Sequence, residues 1–226
     1  MSGEGAAAKS HGATGPLSGR ASGYPGSVRS SLLGGGILVL ILSSVLFLRE
    51  HSDLERGTVG STGIREIDWI ACWLIAMVLV AIYSGFLMLR ESRSEGTPFP
   101  PKGLKKVLRA CWVPMLIGGI VGTVLVISLT PAVGAAFWAA CFGVALLATR
   151  GSAPRVISRL GWLILPSGLM AVAYSWSDGM HPLPLLGVPE HLESPMLEAD
   201  LIMGVCFGLI PLVYGAIFVK DTRTSR

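Results

Sequence analysis

A chain of 226 residues that is 51% hydrophobic and only 14% charged, with a mean hydropathy of +0.63, has no room for a separate soluble domain beside its apolar bulk. Its formal net charge of +4 and pI near 9.0 come from cations gathered in a few segments. In a chain this apolar they are a topology and lipid-headgroup signal, and nucleic acid is not expected as a partner.

In chain order, residues 1–30 are rich in Gly, Ser and Ala and predict a disordered cytoplasmic tail. A cleaved signal is not expected, because Leu48 is followed by Arg49-Glu50-His51 where small residues are needed. Residues 31–220 then predict an all-α, polytopic bundle of six transmembrane helices, and 221–226 a short cytoplasmic C-terminal tail. The spans read as Leu32 to Leu48, Ile67 to Leu89, Ala110 to Leu129, Ala132 to Thr149, Leu160 to Trp176 and Leu201 to Val219. Spans three and four form one uncharged run of 40 residues. As a single helix it would be about 60 Å long, twice the bilayer core, so it must fold back. The predicted break is Thr130-Pro131-Ala132-Val133-Gly134, where Pro131 disfavours helix before it and Gly134 tolerates a turn.

Cations set the orientation, since loops rich in Lys and Arg stay cytoplasmic. Lys9, Arg20 and Arg29 precede span one, and Arg90, Arg93, Lys102, Lys105, Lys106 and Arg109 join spans two and three. Arg150, Arg155 and Arg159 join spans four and five; Lys220, Arg223 and Arg226 follow span six. The opposite side holds only Arg49, Arg56 and Arg65, together with Glu50, Asp53, Glu55, Glu66, Asp68, Asp178, Glu190, Glu193, Glu198 and Asp200. Both termini are therefore expected on the cytoplasmic side, with the bilayer as the principal environment.

Small residues at four-residue spacing are the candidate packing faces: Gly118 and Gly122 in span three, Gly204 and Gly208 in span six, with Ala81 and Gly85, Ala136 and Ala140, and Ala139 and Gly143 in spans two and four. Trp69, Trp112, Trp162 and Trp176 fall near span ends and are expected to anchor at the headgroups. Pro114, Pro166 and Pro211 lie inside spans. The four cysteines, Cys72, Cys111, Cys141 and Cys206, all lie in spans at no metal or redox spacing and read as packing residues.

The centre of each span, as bounded above, carries no ionisable residue, which argues against a proton-coupled pump or a stand-alone transporter of charged solutes. Ser43, Ser44, Ser84, Thr123, Ser128 and Ser167 are the polar groups at depth and are expected to bond their own helices. Ser167 has no membrane-depth His to activate it. His51, His181 and His191 lie on the outer side with Asp53, Glu55, Asp178, Glu190 and Glu193, residue types that ligate divalent metals, but their spacing matches no site. Neither a catalytic residue nor a metal or other cofactor is expected, and no substrate-binding residue can be named.

Lys105-Lys106 leads into an apolar segment, Leu129-Thr130-Pro131-Ala132-Val133-Gly134-Ala135-Ala136-Phe137 opens the next, and Arg150-Gly151 makes a cytoplasmic turn. Another span and the exit Pro182-Leu183-Pro184-Leu185 follow. From about Leu104 to Glu190 this order resembles the small membrane subunit of tripartite tricarboxylate transporters, bacterial uptake systems served by an extracytoplasmic solute-binding protein. The resemblance implies a non-catalytic accessory or scaffold subunit in the bacterial inner membrane, beside a larger integral membrane subunit that holds the translocation path. It carries no functional residue over. The alternatives are a stand-alone multi-pass protein of another role, or a membrane enzyme using the outer His and carboxylate residues.

Single cysteines introduced at Ser61, Ser94, Ser152 and Ser194 should be labelled from outside at the first and last and from inside at the middle two. Finding positions 94 and 194 on one side would contradict the six-span topology.

Overall fold

The structure, a computed structural model, describes residues 25–56, 65–96, 104–176 and 194–219. Among these there is no strand, and six helical segments are long and apolar enough to cross a membrane. Helix α1 is Pro25–Glu55, α2 Arg65–Glu95, α3 Leu104–Ser128, α4 Pro131–Ala148 and α5 Arg155–Trp176. The sixth span is composite: α6 (Pro195–Met203), a π-helical turn (Gly204–Leu209) and α7 (Ile210–Phe218). The protein is thus an all-α, multi-pass membrane bundle, with Ile41, Ile82, Ile120 and Ile217 among the apolar side chains turned outward as a lipid-facing surface.

Several boundaries differ from expectation, each for a local reason. Helix α1 already covers 25–30, ahead of the predicted start at 31; the rest of the N-terminal tail lies outside the described residues. The Glu91 carboxylate, at the end of α2, accepts the Ser27 backbone N–H at 2.8 Å. It satisfies one of the four amides that every helix start leaves open. The hairpin between α3 and α4 is tighter than predicted. Thr130 is the N-cap, its side chain accepting the Val133 N–H at 3.3 Å, and Pro131 takes the first helical turn, where no donor is missed. Gly134 takes no part in the turn: it sits inside α4, where a Cβ would come within 2.3 Å of Val126 and 2.8 Å of the Gly122 carbonyl. In the sixth span the helix begins at Pro195 rather than Leu201, because Ser194 caps it by accepting the Met196 N–H at 3.2 Å. A cysteine at 194 would remove that cap, so Ser61 is the cleaner outer reporter.

Helix α4 is the centre of the bundle. Its Ala and Gly residues (Ala135, Ala136, Ala139, Ala140, Gly134, Gly143) are buried and allow α3, α5 and α6 to approach it closely. Against α5 the approach is backbone to backbone: a Cβ on Gly143 would lie 2.6 Å from Leu165 Cα, and one on Gly168 would lie 2.4 Å from the Ala140 nitrogen. In lipid, where apolar side chains gain little by meeting one another, such close packing is the main attraction between helices. Helix α1 packs on α2 and on the sixth span, and α2 scarcely touches α3.

Gly143→Leu or Gly168→Leu should therefore lower the detergent-solubilised melting temperature, by overpacking worth about 1–3 kcal/mol. Gly85→Leu and Gly119→Leu, where an added Cβ meets nothing within 4 Å, should leave it near wild type. Equal effects at all four positions in a thermal melt would refute this packing account.

Candidate functional site

Starting α6 at Pro195 places Asp200 inside the sixth span, about 7.5 Å along it at 1.5 Å per residue. It is 1% exposed. The expected start at Leu201 is thereby corrected by six residues, which brings Asp200 into the N-terminal third of the span while the span's centre stays free of ionisable groups. Depth is fixed independently by α1. Ser43, six residues or about 9 Å inward of Arg49, donates its hydroxyl to the Asp200 carbonyl oxygen at 2.6 Å. Ser43 thus departs from the expected bond to its own helix, whereas Ser84 and Ser167 follow it, donating to the carbonyls of Val80 at 2.7 Å and Leu163 at 2.8 Å.

The Asp200 side chain faces α2. Trp69 Nε1 donates to Asp200 Oδ1 at 2.8 Å. Trp73, four residues on and so on the same face of α2, lies beside the same carboxylate and is 1% exposed. Its ring meets Trp69 edge-on at 6.1 Å, and Trp138 of α4 stacks on Trp69 at 5.8 Å with an interplanar angle of 18°. Trp69 is therefore no headgroup anchor. It is 5% exposed and belongs to the core, while Trp112, Trp162 and Trp176 remain on the surface.

The glycines singled out in the sequence sit around this assembly. Gly122 leaves the space that the Trp138 indole fills, since a Cβ there would lie 1.9 Å from Trp138 Cδ1. Gly118 lies against Cys141. Gly204 lies against Ser43, where a Cβ would come within 2.4 Å of the hydroxyl, and Gly208 against Leu40. At this point the sixth span widens: Gly204 N–H donates to the Asp200 carbonyl, and Ile210 N–H reaches back five residues to the Val205 carbonyl. Pro211 has no N–H for the Phe207 carbonyl, so an ordinary α ladder is interrupted here in any case. Such π turns recur at functional sites.

A cleft of about 70 Å³ opens beside the carboxylate, lined by Arg49, Glu50, Asp53, Asp68, Trp69, Cys72 and Asp200 with Leu46 and Met196. Glu50, 8% exposed, accepts the Ser194 hydroxyl at 3.1 Å and so joins the C-terminal end of α1 to the N-terminal end of α6. Three further carboxylates against one guanidinium give the cleft a negative field that favours cations over anions. No group of three or more His, Cys, Asp or Glu has metal-binding geometry among the described residues. His51 sits away from the cleft, 3.6 Å from Glu55 and stacked on Phe47; His181 and His191, with Asp178, Glu190 and Glu193, lie outside the described residues. No known protein family matches the chain, and neither a curated protein nor a solved structure shows significant similarity to it.

Trp69→Phe should lower stability by about 1.5–3 kcal/mol, the worth of a hydrogen bond to a charged group, while Asp200→Asn, which keeps an acceptor for Trp69, should cost less than Asp200→Leu. Chemical unfolding in mixed micelles would check the order. If Asp200→Leu were the most stable of the three, the Trp69–Asp200 bond would have no structural role.

Proposed function

We propose that this chain is a non-catalytic subunit of a solute-uptake complex in the bacterial cytoplasmic membrane, with both termini cytoplasmic, and that it binds a cation from the outer side at Asp200. The observation that carries the reading is the carboxylate itself, 1% exposed, within the sixth apolar helical segment and beside an acidic cleft. Ionisable groups inside membrane helices are costly and mark ion or substrate paths. The orientation rests on 15 of the 18 cations falling on one side. The uptake context and the larger partner rest on the resemblance to tripartite tricarboxylate transporters. Within that context the negative cleft suits a coupling cation and would repel a carboxylate solute.

An enzymatic role finds less support. The Ser167 hydroxyl is engaged with its own helix and has no base beside it, and His51 stands apart from the cleft. A stand-alone protein in which Asp200 merely ties α1, α2 and α6 together is the competing reading, and it is separable by substitution.

Mild-detergent purification should recover the chain with a larger integral membrane protein. In proteoliposomes on a solid support, a step in external pH or cation concentration should displace charge in the wild type. Asp200→Asn should abolish this signal while partner recovery persists and the melting temperature falls less than in Asp200→Leu. A monomer without partner would overturn the subunit assignment; a charge displacement unchanged in Asp200→Asn would overturn the role of Asp200.

A further inference from the structure

The donors around Asp200 do not balance its cleft as it stands. Trp69 N–H is satisfied by Oδ1, while Trp73 Nε1, buried beside the same carboxylate, is turned toward it without closing a full hydrogen bond. The adjoining cleft of about 70 Å³ has room for roughly two waters at about 30 Å³ each. Asp200 lines this cleft, so a water there can donate to its carboxylate. A bare metal ion at the carboxylate would be repelled by the indole N–H dipoles turned toward it.

We propose that a short file of water leads from the outer face to Asp200 and that the cation this carboxylate takes is the proton. The inference rests on the reading of Asp200 as a cation-binding group and names its ligand. Carboxylates along the way are graded in burial: Asp68 is exposed, Asp53 partly so, Glu50 8% and Asp200 1% exposed. The ionisable groups facing the cleft are Arg49, Glu50 and Asp53 from α1 and Asp68 and Cys72 from α2; α6 adds the buried Glu198 two residues from Asp200, and α4 contributes only the Trp138 indole to the cluster. In the transfer, an O–H bond of the nearest water breaks as one forms on Asp200, and that water takes a replacement proton from the mouth. The negative mouth raises the local concentration of hydronium. Toward the inner side, the neighbouring turns carry Val39, Ala76 and Met203, all buried and apolar, so the file ends at the carboxylate. It is a one-sided proton site and not a conducting pore.

Infrared difference spectra of the full-length protein in proteoliposomes test this. A downward step in external pH should produce a carboxylic-acid C=O band that shifts in D₂O, vanishes in Asp200→Asn and moves in Asp200→Glu, while Na⁺ and K⁺ steps at constant pH stay silent. With the other three cysteines changed to Ser, Cys72 should react with a small water-borne methanethiosulfonate added outside. A carboxylate response to Na⁺ or K⁺ but not to pH would overturn the proton and leave the cation-binding reading standing. Silence to pH and to both ions would overturn the two together, and an unreactive Cys72 would overturn the water file.

Discussion

The constraint on which the rest of this bundle turns is the cost of holding a carboxylate away from water. An isolated ionised carboxylate in an apolar medium is prohibitively unstable, so its surroundings must supply polar partners and field. Here they come from three helices. Trp69 of α2 donates to the side chain and Ser43 of α1 donates to the backbone, while Ser194 and Glu50 join the start of α6 to the end of α1. The glycines follow from the same need: Gly204 admits the Ser43 hydroxyl, and Gly122 admits the Trp138 ring that backs Trp69. Small residues in this protein are therefore placed for a polar cluster as much as for helix contact.

Six spans and one hairpin were legible in the sequence because both depend on one-dimensional quantities, the run of hydropathy and the position of Pro131. The site was not legible for two different reasons. One signal was present and went unused: Ser194-Pro195 is a helix-start pair, an N-cap followed by a proline tolerated in the first turn, and it places Asp200 inside the helix. Trp69 and Trp73 likewise stand four apart and share a face. The other reason is physical. That α4 brings Trp138 against Trp69, and that Ser43 reaches a residue 157 positions away, are facts of tertiary packing that no local pattern encodes.

Those differences change the chemical character of the molecule. A bundle with bare spans would be suited to scaffolding alone, whereas this one holds a buried carboxylate that accepts from an indole, a titratable group inside its helical packing. The negative lining of the cleft favours cations over anions at this carboxylate.

The order of these partners along the chain has a consequence for biogenesis. Ser43, Trp69, Trp73 and Trp138 all precede Asp200, and synthesis delivers segments from the N-terminus. An Asp in a membrane helix opposes insertion, by about 2.5–3.5 kcal/mol at the helix centre and by less toward the end where Asp200 lies. When the sixth span leaves the ribosome, the indole that will donate to its carboxylate and the ring that backs it are already in the bilayer. The last helix can thus enter against a prepared polar seam, and its acid need never confront lipid alone.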